Sequence, residues 1–273
     1  MNKKKRYFAS WRAAYRKNRS VFYTYLLLRL AVILFLIHSL ILRNYENSFT
    51  CLLVLVLFML PDFFTKRFNF ELPSRLEIVI LVFIFCAEIL GELQCYFIRY
   101  PHWDTLLHTT TGFIAAAFGY SLFDMLNRSE RFSIRVAPIY LSLVAFCFSM
   151  TAGVVWEFFE FSVDRLFHKD MQKDTVITEF YSVTLDETNS NVPVGVTGIT
   201  EVTVNGEELG LGGYLDVGLY DTMEDMFVNF VGALVFSLWS YFAAMNRHKK
   251  SVINEFIPRV PENSDDEKKQ YSS

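Results

Sequence analysis

Apolar stretches of seventeen residues or more recur six times along the chain, at about 21–42, 48–64, 76–98, 104–126, 136–163 and 222–245. A bilayer's hydrocarbon core is about 30 Å thick and takes roughly 20 helical residues to cross. A soluble fold would have to bury all six stretches at once, whereas a membrane helix can turn its apolar sides to lipid while satisfying its own backbone. Composition agrees: of 273 residues, 52% are hydrophobic and 20% charged, against about 25% charged in ordinary soluble domains. The expected architecture is an all-α polytopic membrane helix bundle of about six transmembrane helices, with a small β-rich insert. The second stretch is the weakest, because it is short and Pro61 and Asp62 interrupt its end. A re-entrant or mismatched segment is an alternative there.

The organisation expected along the chain is a basic segment at 1–20, five transmembrane helices within 21–164, an acidic extracytoplasmic insert at 165–220, a sixth helix at 221–245, and a cytoplasmic, partly disordered tail at 246–273. Lys and Arg residues near helix ends are retained in the cytoplasm. With six spans, twenty of them fall on the side of both termini and five on the other, so both termini are expected to be cytoplasmic. Tyr7, Trp11 and Tyr15 recur every fourth residue among eight basic side chains before the first span. Such a segment can rest on an anionic leaflet, although the topology signal alone accounts for its charge. Val21 to Leu42 is a 22-residue span without an A-x-A cleavage site, so it reads as a retained helix rather than a signal peptide.

Other global properties mainly exclude. A net charge of −3 and a pI near 6.0 argue against nucleic acid as a partner. Cys51, Cys86, Cys95 and Cys147 have no paired spacing and lie in apolar segments, so neither a disulfide framework nor a thiolate zinc site is expected. They read as small apolar fillers.

Residues 165–220 carry nine acidic and three basic side chains. Within them, Ile199 to Val204 is β-branched except at Glu201 and is followed by Asn205-Gly206, the pair suited to a two-residue hairpin turn. Thr175 to Leu185 is a second β-like run. A piece of this size scarcely buries a core alone, so it is expected to pack on the outer helix ends as a lid or a decorated loop.

Ionisable groups inside membrane spans are expensive and mark functional sites by default. Asp104 and His108 stand four apart on the fourth span; Glu157, Glu160 and Asp164 stand at i, i+3 and i+7 on the fifth; Asp221, Asp225 and Asn229 stand at i, i+4 and i+8 on the sixth. Each set shares a helix face. Glu88 and Glu92, at i and i+4, add a fourth stripe on the third span. With the topology above, all four stripes reach the outer side, where they are expected to form one pocket. Ordinary roles compete: Asp221 and Asp104 stand at helix starts, where a carboxylate caps; Asp164 can line the water interface; Asn229 can bond a neighbouring helix. Gly112, Gly119 and Gly232 read as sites of close helix contact, and Trp103 and Trp156 as interfacial anchors.

The stretches His102-Trp103-Asp104-Thr105-Leu106-Leu107-His108 with Gly112, Trp156-Glu157-Phe158-Phe159-Glu160-Phe161 with Asp164, Met171-Gln172-Lys173, and Asp221-Thr222-Met223 with Asp225 and Gly232 resemble the YjdF-like family of bacterial membrane proteins. The pattern is distantly similar to VanZ-like proteins, associated with glycopeptide resistance, through Asp104-x-x-x-His108 and Asp225-x-x-x-Asn229-x-x-Gly232. It departs at Glu160, where those relatives tend to have Gln. The resemblance implies a multi-pass protein of the bacterial cytoplasmic (inner) membrane. It supplies no reaction.

Three functions follow from the residues. The first is metal-assisted processing of a lipid-linked or envelope substrate, in which Asp104, His108, Glu157 and Asp225 bind a divalent metal (Zn, Mn, Mg or Fe), Glu160 is the general base and Asn229 orients the substrate. The second is an ion-coupled transporter. The third is a non-catalytic envelope protein whose insert binds a partner. Substrate, metal identity and oligomeric state are left open by the sequence.

Overall fold

The computed structural model describes residues 18–68, 71–128, 136–245 and 252–258. The aromatic-basic pattern of Tyr7, Trp11 and Tyr15 and the tail from Pro261 lie outside them. The chain divides into two compact units, residues 1–152 with 228–273, and residues 153–227.

In the first unit, α1 (Arg19–Ile41) starts where the Asn18 side chain accepts hydrogen bonds from the backbone N–H of Ser20 and Val21, satisfying two of the donors that a helix start leaves open. The second apolar stretch is divided. Helix α2 (Tyr45–Leu57) ends in a turn at Phe58 and Met59, and α3 (Leu60–Phe68) resumes. Pro61 has no N–H to return to the carbonyl four residues back, and the Tyr25 hydroxyl donates to the Phe58 carbonyl at that break, 2.6 Å away. Leu28, Val32, Cys51, Val54, Phe58, Leu81 and Ile89 form the core of this half of the unit.

The third stretch departs from the single helix expected over 76–98. Helix α4 (Ser74–Ile84) continues as a π-helical stretch, Phe85–Leu93. It breaks at Cys95, whose φ is +57°, before the one-turn α5 (Tyr96–Arg99). The wider π turn advances the chain by an extra residue per hydrogen bond, and neither composition nor apolar periodicity encodes it. Cys95 and Cys147 are exposed and only Cys51 is buried, so the filler reading holds for Cys51 alone; all four thiols are free.

Helices α6 (Trp103–Arg128), α7 (Pro138–Phe167) and α8 (Leu219–Met245) follow. Here glycine does what the sequence reading expected. A Cβ at Gly112 would strike the backbone oxygen of Asn229, one at Gly232 would strike that of Thr109, and one at Gly119 would meet Phe148. The backbones of α6 and α8 thus touch at paired glycines, as small residues permit. Among the described residues, four helical segments are long and apolar enough to cross a membrane: Arg19–Ile41, Tyr45–Thr65, Pro138–Phe167 and Leu219–Met245.

The second unit holds the end of α7, the start of α8 and the insert between them. The insert consists of three antiparallel two-stranded ribbons. Strand β1 (Val176–Ile177) pairs with β6 (Tyr214–Leu215), β2 (Glu179–Ser182) with β3 (Val194–Thr197), and β4 (Thr203–Val204) with β5 (Glu207–Glu208). The last pair turns at Asn205 and Gly206, with φ +54° and +88°, the two positive values that a type I′ hairpin demands. Between 165 and 220 only Gly213 and Gly218 are buried, so no side-chain core holds the insert together.

Candidate functional site

Aspartates do that work instead. Asp164, near the end of α7, accepts the backbone N–H of Met171 at 2.6 Å and of Gln172 at 2.9 Å. Asp221, in the first turn of α8, accepts that of Lys173 at 2.9 Å. The Gln172 amide reaches the Thr222 hydroxyl. Residues 171–173 are therefore a strap, fixed at one end by each helix. Asp216 adds a third staple, accepting from Thr175 N at 2.7 Å and Tyr220 N at 2.7 Å. Helix α8 starts at Leu219, two residues before the expected boundary, so Asp221 lies inside the first turn rather than at its cap; Asp104 likewise lies within the first turn of α6. The role of Asp216 escaped sequence reasoning, although its place just before Gly218 and the helix start was a local signal for a carboxylate that collects N–H groups.

One and two turns from Asp164 back along α7 stand Glu160 and Glu157, and one turn past Asp221 on α8 stands Asp225. These three are 7%, 5% and 3% exposed. Each offers a carboxylate oxygen, and the three oxygens lie within 4.8 Å of one another. The i, i+3 spacing on α7 puts both glutamates on the side of that helix that meets Asp225. Such a group of oxygen donors can hold a hard cation.

The remaining candidates belong to the first unit. Asp104 Oδ1 and His108 Nε2 are 3.4 Å apart on α6. Asn229 is 2% exposed; its Nδ2 donates to the Ser149 carbonyl at 3.4 Å, while Ser149 Oγ donates to the Gly112 carbonyl at 2.7 Å. Asn229 therefore ties α8 to α7 at the level where α6 and α8 touch, and its Oδ1 has no hydrogen-bond partner among the described residues. Ser149 was not singled out from sequence, since a lone serine in an apolar span carries no distinguishing mark. Glu88 is half-buried and Glu92 exposed in the π-helical stretch; neither they nor Asp164 and Asp221 belong to the gathered carboxylates. Trp103 is more than an interfacial anchor, because its Nε1 donates to the Cys86 carbonyl of that stretch at 3.3 Å. An open cleft of about 340 Å³ nearby is lined by Tyr96, Tyr100, Pro101, His102 and Trp103, and contains none of the acidic candidates.

Outside the spans, two insert carboxyls are displaced from their ordinary acidity in opposite directions. Asp186 is pulled down to about 2 by the hydrogen bond from the Thr188 hydroxyl, then by backbone N–H groups of Val192, Thr188 and Ser190. Asp174 is raised by partial burial first and by the charges of Asp170, Asp216 and Asp164, against the opposing pull of Lys173.

Long apolar helices with acids gathered between two of them define a helical integral membrane protein. The chain belongs to the family of predicted membrane proteins DUF2238, whose pattern it matches over residues 23–246. It is 26% identical over 106 residues to an uncharacterised protein of Thermotoga maritima, covering 39% of this chain and 53% of that one, so the match spans about half the length of that relative. No solved structure matches.

Proposed function

We propose that Glu157 and Asp225, of the gathered carboxylates, hold a divalent cation beside Glu160, and that the protein uses it to process a lipid-linked or envelope substrate at the outer face of the bacterial cytoplasmic membrane. The observation that carries this reading is the approach of three buried acidic oxygens to within 4.8 Å of one another. Removing a carboxylate from water is costly, and placing two more beside it multiplies the penalty unless protons or a cation compensate. All-oxygen donors suit magnesium or manganese, while added imidazole would favour zinc or iron. Glu157 and Asp225 are assigned to the cation and Glu160 to the general base, taking a proton from an attacking water. The resemblance to YjdF-like and VanZ-like proteins is part of this proposal, and Glu160, the acid in place of the amide of the VanZ-like proteins, strengthens the case for a cation.

The reading includes six crossings, both termini cytoplasmic and the insert outside. Helix α6 has 26 residues, about 39 Å of helix, and falls short of the four most apolar segments because Asp104, His108 and its threonines lower its hydropathy. Helix α4 with its π continuation is 20 residues, Ser74 to Leu93.

Elemental analysis of the purified full chain tests the cation. One divalent ion per chain, lost in Asp225→Asn and Glu157→Gln while the helices persist, is the expected result. Asp104→Asn and His108→Ala are measured alongside, and a parallel loss would add that pair to the ligand set. Cation-dependent release of phosphate from a lipid-linked phosphate by reconstituted protein, lost in Glu160→Gln, would establish the reaction; a chain that binds no divalent ion refutes the proposal.

A further inference from the structure

Glu160 and Asp225 are buried although both stand close to helix ends: α7 ends at Phe167, seven residues past Glu160, and α8 starts at Leu219, six residues before Asp225. Helical spacing puts Asp164 one turn beyond Glu160 and Asp221 one turn before Asp225, on the same helix faces. Those two aspartates hold residues 171–173. The strap therefore crosses from α7 to α8 at the level next to the gathered acids, on the side of the helix ends.

The strap is seated as well as tied. A Cβ at Gly218, the residue before α8, would lie 2.8 Å from the Gln172 Cβ, so the chain is cleared there for the strap to pass. Met171, Gln172 and Lys173 are half-buried, whereas residues 165–170 before them and 174–176 after them are exposed. The way the strap is held sets it apart from the helices it joins. Residues 168–175 form neither helix nor strand, and the N–H groups of Met171, Gln172 and Lys173 all go to the two carboxylates. Its release would break no helix, and irregular segments held by few bonds are the ones that open locally.

We propose that residues 171–173 are a gate over the gathered carboxylates. While Asp164 and Asp221 hold the strap, Glu160 and Asp225 are sealed from the helix ends; its release at those two aspartates opens the path by which water and small cations reach them. The gate rests on the cation reading for what passes through it, but its test measures access alone and needs no bound cation, so either can fail without the other.

The test uses the full chain in lipid nanodiscs, with the four native cysteines replaced by alanine and Glu160→Cys introduced as the reporter. The readout is its rate of modification by a cationic, water-soluble methanethiosulfonate. A second reporter, Ser149→Cys at a fully buried position of the first unit, registers general loosening in the same backgrounds. Asp164→Ala removes two bonds to a charged acceptor and is expected to raise the Glu160→Cys rate roughly a hundredfold; Asp221→Ala removes one and raises it roughly tenfold. The Ser149→Cys rate stays at its reference value in both. Should Asp164→Ala fail to fold, Asp221→Ala decides by itself, since it leaves the Asp164 end of the strap intact. A Glu160→Cys rate that neither variant changes, or a Ser149→Cys rate that rises as much in Asp221→Ala, overturns the proposal.

Discussion

Asp164, near the end of α7, and Asp225, near the start of α8, belong to the same unit, yet their carboxylates meet different company. Asp164 receives two backbone N–H groups of the strap, and Asp221, Asp216 and Asp186 are likewise engaged by backbone N–H groups. One turn deeper, Asp225 faces other acids, the carboxylates of Glu157 and Glu160. An acid surrounded by N–H groups is stabilised as an anion and replaces the core that the insert lacks. An acid brought beside two others offers oxygen donors to a cation. The first arrangement is architecture and the second is the one proposed to carry chemistry, although both use carboxylates on the same two helices.

The sharpest way to break this contrast is to neutralise one gathered acid. A cation present at a hundred times its Kd should stabilise the wild-type chain by about 2.7 kcal/mol, read as a rise in unfolding temperature, and Asp225→Asn should abolish that rise. If the variant keeps it, the gathered acids do not form the binding centre. Asp164→Ala comes next. Loss of two hydrogen bonds to a charged acceptor, each worth about 1.5–3 kcal/mol, should accelerate amide exchange at Met171 and Gln172 while cation stabilisation persists. Unchanged protection there would show that the strap is held by something else.

Asp186 gives a smaller, pH-linked effect. Its pKa in the folded chain is lowered to about 2, so its contribution is fully present above the unfolded value of about 3.9 and is lost as pH falls through about 2. Amide exchange or chemical shifts of Thr188, Ser190 and Val192 in an acid titration should show the loop holding through pH 4 and releasing only near pH 2, and Asp186→Ala should release it at neutral pH. Asp174→Asn is expected to change least. A carboxyl whose pKa is raised opposes folding when ionised and ceases to do so on protonation, so the amide should slightly stabilise the insert at neutral pH, and the difference from wild type should vanish in acid. An Asp174→Asn insert less stable at pH 7 would reverse that assignment.

Most helices and the Asn205-Gly206 hairpin were legible in the sequence, because length, apolarity and turn chemistry are local properties. The break after Leu57 was partly legible through Pro61. The π-helical stretch and the left-handed Cys95 were not, since the residues from Phe85 to Leu93 suit an ordinary helix and only their surroundings select the wider turn. The candidate site divides in the same way. The stripes containing Glu157, Glu160 and Asp225 followed from helical spacing, whereas the recruitment of Asp164 and Asp221 to the strap depended on where residues 171–173 pass, fifty positions from Asp221 along the chain.

By itself the sequence determined that this chain lives in a bilayer, because runs of apolar residues of that length satisfy their backbones only as helices in lipid, and it marked which helix faces carry charge. Only the tertiary structure decided which acids act as staples and which gather, and that Ile253 packs among residues of α6, α7 and α8. Those outcomes depend on contacts between residues far apart along the chain, and no local pattern of spacing or hydropathy contains them.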